Sequence, residues 1–149
     1  MKKFTILAAL IIFFLSGASD VYACSCLMET KTPVSKQVKA SYQKAAAVFY
    51  GEVTEITRES EGVIVKIKVE KSWKGELQSE VIVRTLADSA MCGYTFEKNM
   101  KYMVYADDND GHFGVNLCSR TSQRGTDAKY LNKIKKPRLF AKITEKSSK

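Results

Sequence analysis

Cys24 and Cys26 are the residues of this sequence whose type and position are best suited to chemistry. They follow an N-terminal segment, residues 1–23, that is first basic, then apolar, and ends in a small-residue cleavage pattern. Cleavage after Ala23 would give Cys24 a free α-amino group, and such an amine titrates near pH ~8. Its neutral form can bind a metal ion. The sequence therefore predicts a metal-chelating N terminus, provided that the Cys24 side chain is tied to the fold.

The same N-terminal segment predicts that the protein is exported as residues 24–149. The apolar run at 4–15 is shorter than the ~20 residues that a helix needs to span a bilayer, so we expect a secreted chain with no membrane span. The alternative is a lipoprotein signal, with Cys24 lipidated and the protein held at the cell envelope. Lipidation would leave an odd number of cysteines in an oxidising compartment, so plain secretion is favoured.

The four cysteines of this exported chain predict two disulfides, for which three pairings exist. Cys24 and Cys26 are too close in sequence to be good partners, so each is expected to reach Cys92 or Cys118, and both crossed patterns stay open. The alternative is a zinc site with four cysteine ligands. Such sites usually present paired C-x-x-C motifs, which this sequence lacks.

The patterns along the chain predict five short strands between two helices. An amphipathic helix starts at Ser35 as its cap and ends near Ala46, and Asp127 caps a second helix that Pro137 stops. Alternating or β-branched runs predict strands at 48–56, 63–69 continuing towards residue 73, 81–85, 102–106 and 113–118, with a bulge or bend at Gly51 in the first. The pattern predicts a mainly β fold, a small closed barrel such as the OB-fold, with a β-sandwich as the competing architecture.

The remaining polar residues do not predict an enzyme. His112 is the only histidine and lies in a predicted hairpin turn, so no nucleophile and base pair can be assembled around it. Asp107, Asp108 and Asp110 fail the spacing of a calcium loop and suit a soluble turn. We therefore expect no catalytic residue and no cofactor.

The net charge of +8 is concentrated in the segment at 129–149. A basic tail of this kind is typical of a solvated helix face, with contact to a polyanion as the alternative. Because the chain is predicted to be exported, nucleic acid is not an expected partner.

A series of short motifs along residues 24–121 resembles one known family. It starts at Cys24-Ser25-Cys26 and includes the strand at 48–53 and Trp73-Lys74-Gly75, followed by Ser89-Ala90-Met91-Cys92-Gly93, the strand at 102–106, and Asp110-Gly111 leading into Val115-Asn116-Leu117-Cys118. In this order the motifs resemble the netrin-like domain, and within it the tissue inhibitors of metalloproteinases.

The resemblance implies a netrin-like OB-fold domain over residues 24–125, with a C-terminal helix and tail at 126–149. It also implies disulfides that join Cys24 to Cys92 and Cys26 to Cys118. The implied function is inhibition of a zinc metalloproteinase by a monomer, in which the amine and carbonyl of Cys24 chelate the catalytic zinc of the target. The implied inhibitor edge consists of Cys24, Ser25, Cys26, Leu27, Met28, Ser89, Ala90 and Met91.

A second function stays open beside inhibition. Netrin-like domains also serve as binding modules, so the alternative is a non-inhibitory extracellular module, either free or anchored as a lipoprotein at Cys24. A fold shared by two functions does not decide between them.

Overall fold

The computed structural model describes Cys24, Cys26, residues 31–60 and residues 62–140. Several predicted features lie outside the described residues. They are the segment at 1–23, which is predicted to be a cleaved signal peptide, the edge residues Ser25, Leu27 and Met28, and the end of the predicted basic tail. Neither helix in the part of the chain that the structure describes has the length and apolar character needed to cross a bilayer.

The described chain is mainly β, with six strands and two α-helices. In chain order the elements are α1 (Val34–Lys44), β1 (Ala47–Glu59), β2 (Gly62–Lys74), β3 (Glu80–Thr85), a 3-10 helix (Ser89–Met91), β4 (Lys101–Asn109), β5 (His112–Gly114), a second 3-10 helix (Gly125–Asp127), α2 (Ala128–Ile134) and β6 (Arg138–Leu139).

The first five strands pair in a ring. Strand β1 is antiparallel to both β2 and β4, β4 is antiparallel to β5, β5 is parallel to β3, and β3 is antiparallel to β2. Register shifts in the β1–β2 pair, one of them between Tyr50 and Gly51, let the long β1 bend so that its first half pairs with β4 as well. The short β6 adds to β2 at Lys71 and Ser72.

The first part of β1, at 47–50, and residues 102–106 of β4 pack on both faces, which explains why these two stretches are apolar without strict alternation. One face of each, with Phe49 and Val104, joins the core inside the ring. The other face, with Val48 and Met103, joins a second cluster that includes residues of both helices and Trp73. In β2 and β3, by contrast, buried and more exposed residues largely alternate, as the sequence pattern predicts. The helices are therefore fixed by the outer face of β1 and β4.

Lys74 connects the end of β2 to α1. Its Nζ donates to the carbonyl oxygens of Tyr42 and Gln43 at 2.9 and 3.0 Å. These carbonyls belong to the last turn of the helix, where oxygen atoms lack helical partners and a cation is favoured. The Lys74 side chain therefore completes the C-terminal end of α1.

The structure differs from the predicted boundaries at several places, among them the ends of β1 and β4, which extend three residues beyond the predicted strands. Helix α1 begins at Val34, after Pro33, without a side-chain cap, so the cap predicted at Ser35 is wrong; the Pro33 carbonyl accepts the first bonds instead, from the amides of Lys36 and Gln37. Strand β5 ends at Gly114, short of the predicted residue 118. Strand β6 has only two residues and gives no sequence signal.

Asp127 also differs from its predicted role. It occupies the cap position of α2, as predicted, but its side chain makes no capping hydrogen bond. Its carboxylate accepts hydrogen bonds from Tyr105 and Arg120 instead. A long-range buried interaction therefore replaces the local one that the spacing predicts.

We expect that Gly51→Ala destabilises the fold, because β1 and β2 approach each other closely at Gly51. A Cβ atom there would clash with the carbonyl oxygen of Lys68 and lie 2.9 Å from Ile67 Cγ2. Overpacking of this kind costs about 1–3 kcal/mol, which denaturant unfolding can measure. Gly111→Asn is the control, because space is open around Gly111 and Asn tolerates its positive φ. Equal stability of the two variants would contradict the close approach.

Candidate functional site

Two disulfides attach the N-terminal cysteines to distant parts of the fold. Cys24 is bonded to Cys92 and Cys26 to Cys118, across 68 and 92 residues of sequence. This pairing is the one that the resemblance implies. The two bridges are adjacent, with Cys24 Sγ 3.9 Å from Cys118 Sγ. Segments that are far apart in sequence thus meet at one point on the surface.

The cysteine sulfurs do not form a metal site in this state. Cys24, Cys26 and Cys118 lie within 4.8 Å of one another, the geometry of a ligand group. However, every described cysteine is in a disulfide, and metal binding by cysteine requires thiolates. The oxidised structure therefore does not support the alternative of a zinc site with four cysteine ligands.

The loop before Cys92 is held in shape by hydrogen bonds within the loop. The Asp88 carboxylate accepts from the Met91 amide at 3.0 Å and thereby caps the 3-10 helix of Ser89–Met91. Cys92 then adopts a left-handed conformation, with φ of 67°. The Gly93 amide donates to the Asp88 carbonyl at 2.7 Å, and the backbone is so close that a Cβ on Gly93 would clash with Leu86 O. The loop therefore presents Ser89, Ala90 and Met91 to solvent on a fixed base.

The two segments that receive the disulfides are also bound to each other. Gly93 and Asn116 form an isolated antiparallel bridge, and the Leu117 amide donates to the Cys92 carbonyl at 2.8 Å. The Asn116 carboxamide then accepts from the Cys118 amide at 2.9 Å. This explains why β5 ends early, because the chain leaves the sheet to run beside Cys92.

The structure thus brings together part of the edge predicted from the sequence. Cys24 and Cys26 meet Cys92, which directly follows Ser89, Ala90 and Met91. Ser25, Leu27 and Met28 lie outside the described residues. His112 is predicted to lie in a turn but is the first residue of β5, and Asp107 and Asp108 lie at the end of β4. These residues and Asp110 form no metal-binding group among the described residues. The Asp108 carboxylate instead accepts from the Gly111 amide.

A buried polar cluster beside this edge escaped the sequence analysis. Arg120 forms a bidentate pair with Asp127, with Nε 2.6 Å from Oδ2 and Nη2 3.1 Å from Oδ1. The Tyr105 hydroxyl donates to the same carboxylate at 2.9 Å, and Arg120 Nη1 donates to Gln37 Oε1 at 3.1 Å. The cluster joins α1, β4 and the start of α2 to the chain just after Cys118. Its members come from four separate segments, so no local spacing identifies them.

The electrostatics of the cluster follow from its hydrogen bonds and its burial. The hydrogen bond to Asp127 raises the pKa of Arg120, and burial raises the pKa of the Tyr105 phenol. Arg120 stays charged and Tyr105 neutral, so Tyr105 serves as a hydrogen-bond donor to the carboxylate. Both donors to Asp127 therefore keep their protons at neutral pH, and the cluster acts as a structural brace.

Comparison with known proteins identifies no family for this chain. Neither a protein-family model nor a curated protein sequence matches it with significance.

We expect that Asp127→Ala strongly destabilises the fold. Removal of one partner from a buried ion pair leaves the other charge without compensation and costs about 3 kcal/mol. The control is Glu55→Ala, which breaks the exposed pair of Glu55 with Lys66, and exposed pairs contribute little. Denaturant unfolding of both variants measures the difference. If the two substitutions had the same small effect, the cluster would not brace the fold.

We also expect each disulfide to stabilise the fold by a similar amount. Removal of the Cys26–Cys118 bridge by paired serine substitutions should cost about 4 kcal/mol in the loop-entropy model. Removal of Cys24–Cys92 should differ from this by less than about 0.5 kcal/mol, because loop entropy grows only with the logarithm of loop length. Urea unfolding without reductant compares the two. A much larger difference would show that strain or packing, and not chain entropy, dominates one bridge.

Proposed function

We propose that this protein is a secreted, netrin-like OB-fold inhibitor of zinc metalloproteinases that acts through the N terminus of its exported form. The observation that supports this most directly is the pair of disulfides that ties Cys24 and Cys26 to the capped loop at Cys92 and to Cys118. A chelating N terminus is useful only when it is held in place, and these bridges supply that constraint.

The strand pairings support the OB-fold part of the proposal. An OB-fold is a five-stranded, partly open barrel, and strands β1 to β5 pair in a ring. A β-sandwich would instead place two separate sheets face to face. The double pairing of β1, with β2 on one side and β4 on the other, favours the barrel over the sandwich.

The proposed mechanism starts with cleavage after Ala23. The free α-amine of Cys24, in its neutral form, and the Cys24 carbonyl oxygen would bind the zinc of the target enzyme as a five-membered chelate. A catalytic zinc keeps one position open for the water that it activates, so the chelate displaces the nucleophile of the reaction. The inhibitor itself needs no catalytic residue and no bound cofactor.

The flanking residues would extend this contact along the substrate cleft of the enzyme. Ser25 would point towards the specificity pocket, Leu27 and Met28 would lie along the cleft, and Ser89, Ala90 and Met91 would widen the contact. Because the disulfides hold Cys24 and Cys26 and the Asp88 cap holds the loop of Ser89–Met91 before binding, little ordering entropy of these residues is lost in the complex. Preorganisation of this kind raises affinity without a larger interface.

The alternative is a non-inhibitory extracellular binding module. Its lipoprotein version is disfavoured because the Cys24 sulfur is bonded to Cys92 and so is not available for a thioether to lipid. The soluble version of this binding module is supported by the basic charge near the C-terminal helix. Lys133, Lys135 and Lys136 are exposed on and after α2, where they would contact a polyanion.

One added alanine before Cys24 in the exported protein should abolish inhibition. The extension converts the α-amine into an amide, which is a poor metal ligand, and adds bulk at the zinc. We expect the inhibition constant to rise at least about 100-fold against any metalloproteinase that the natural form inhibits, a loss of about 2.7 kcal/mol.

The control is the same alanine added at the C terminus, and N-terminal sequencing with intact mass confirms each end. Undiminished inhibition by the N-terminally extended form would contradict chelation. A protein that inhibits no metalloproteinase in a broad panel, with a verified free Cys24 amine, would favour the binding module.

A further inference from the structure

A cleft of about 560 Å³ opens at one end of the strand ring. We name it the end cleft. It lies between the end of β1, the start of β2 and the ends of β3 and β4, and its lining includes Glu59, Val63, Ile64, Arg84, Leu86 and Met91. Its size falls within the range of roughly 300–1,000 Å³ that is usual for ligand sites. The described side chains at this end of the ring leave it unfilled.

The end cleft is continuous with the proposed inhibitor edge. Met91 belongs to both, and Cys92 and Cys118, which hold the two disulfides, line the cleft as well. A partner that contacts Met91 on the exposed loop of Ser89–Met91 therefore also contacts the lining of the cleft.

The exposed residues of the cleft are of a kind that contributes to binding. Leu86 and Met91 are large apolar residues with 46% and 49% of their surface exposed. Burying such side chains in an interface is favourable by roughly 25 cal/mol for each Å² of apolar surface. The cleft thus offers exposed apolar surface, from Leu86 and Met91, near the proposed zinc-binding group.

Two charges flank this apolar surface. Glu59 and Arg84 are exposed, and neither forms an ion pair with another residue in the described part of the chain. In the β1–β2 and β2–β3 registers, Glu59 lies opposite Gly62 and Arg84 opposite Ile64. Glu59 and Arg84 therefore lie on the two strands that flank β2, on opposite sides of it.

We propose that the end cleft receives an apolar side chain of the target proteinase, presented on an extended segment that borders its catalytic cleft. An acidic residue of that segment meets Arg84, and a basic residue meets Glu59. This inference rests on the proposed function and adds to it the determinant of target choice. The zinc chelate is common to all targets, because every catalytic zinc offers the same open position. The end cleft distinguishes between targets, because only some present this sequence of charges and apolar side chain.

The test uses two cleft variants with matched controls, each assayed against the proteinase that the natural form inhibits best. Leu86→Ala removes apolar surface from the cleft, and its control Ile82→Ala removes a similarly exposed side chain on β3 outside the cleft lining. Arg84→Glu reverses a charge of the cleft lining. Its control, Lys71→Glu, reverses an exposed charge on β2 that is outside the cleft lining. We expect each cleft variant to weaken inhibition at least about 10-fold, and each control to change it less than about twofold.

The outcomes separate this inference from the proposed function. If the alanine extension abolishes inhibition while both cleft variants match their controls, the inference is overturned and the function stands. If the extension has no effect, or the natural form inhibits nothing, the function is overturned and the inference with it. Thermal unfolding checks each variant, and Leu86→Ala decides if Arg84→Glu does not fold. A dimer in sedimentation that Leu86→Ala abolishes would assign the cleft to a second copy and overturn the proposal.

Discussion

The two disulfides are the constraint on which the rest of the candidate site depends. Cys24 and Cys26 belong to no helix or strand, so backbone hydrogen bonds of a sheet do not hold them, and ordering such a segment costs about 1–2 kcal/mol per residue. Covalent bonds to Cys92 and Cys118 remove most of that cost from any later binding step. The receiving segments are rigid in turn, because the Asp88 cap and the Gly93–Asn116 bridge fix them. Cys24 and Cys26 are thus held against segments that are themselves held in place, and together they form a surface that can bind without rearrangement.

The sheet supports the segments of Cys92 and Cys118 through the parts of β1 and β4 that pack on both faces. Their inner faces fill the ring, and their outer faces hold both helices. The chain between β5 and α2 must therefore return to the outer face, and Arg120, two residues after Cys118, is fixed there by Asp127. The brace and the Cys26–Cys118 bridge act on the same short segment from opposite ends. Stability of the core and placement of the edge are thus coupled through a few residues, and damage to either should disturb the other.

Much of the fold could be predicted from the sequence, because its strands carry local patterns. The alternation at 63–69 reports one buried face, and the unbroken apolar run at 102–106 matches a strand buried on both. The failures have different physical causes. The predicted caps at Ser35 and Asp127 are local rules, whereas Pro33 supplies the first carbonyl acceptor and Arg120 recruits the Asp127 carboxylate from outside the helix. Strand β6 has too few residues for any periodicity. A tertiary contact thus overrode the local preference at Asp127, whereas at Ser35 a nearby backbone carbonyl replaced the predicted side-chain cap.

The candidate site shows the same division between chemistry and geometry. Residue types indicate that the four cysteines form disulfides and that a terminal amine can bind zinc, because those are properties of single groups, whereas the specific pairing comes only from the family resemblance. The end cleft could not be predicted in this way, since Glu59, Arg84 and Met91 come together only through the strand registers and the capped loop. Chemistry that any netrin-like inhibitor would share is therefore local in sequence, whereas the surface that would separate one target from another is built by long-range pairing. Under the proposed function, changes in cleft residues would therefore alter target choice while the disulfides and the proposed zinc ligands stay the same.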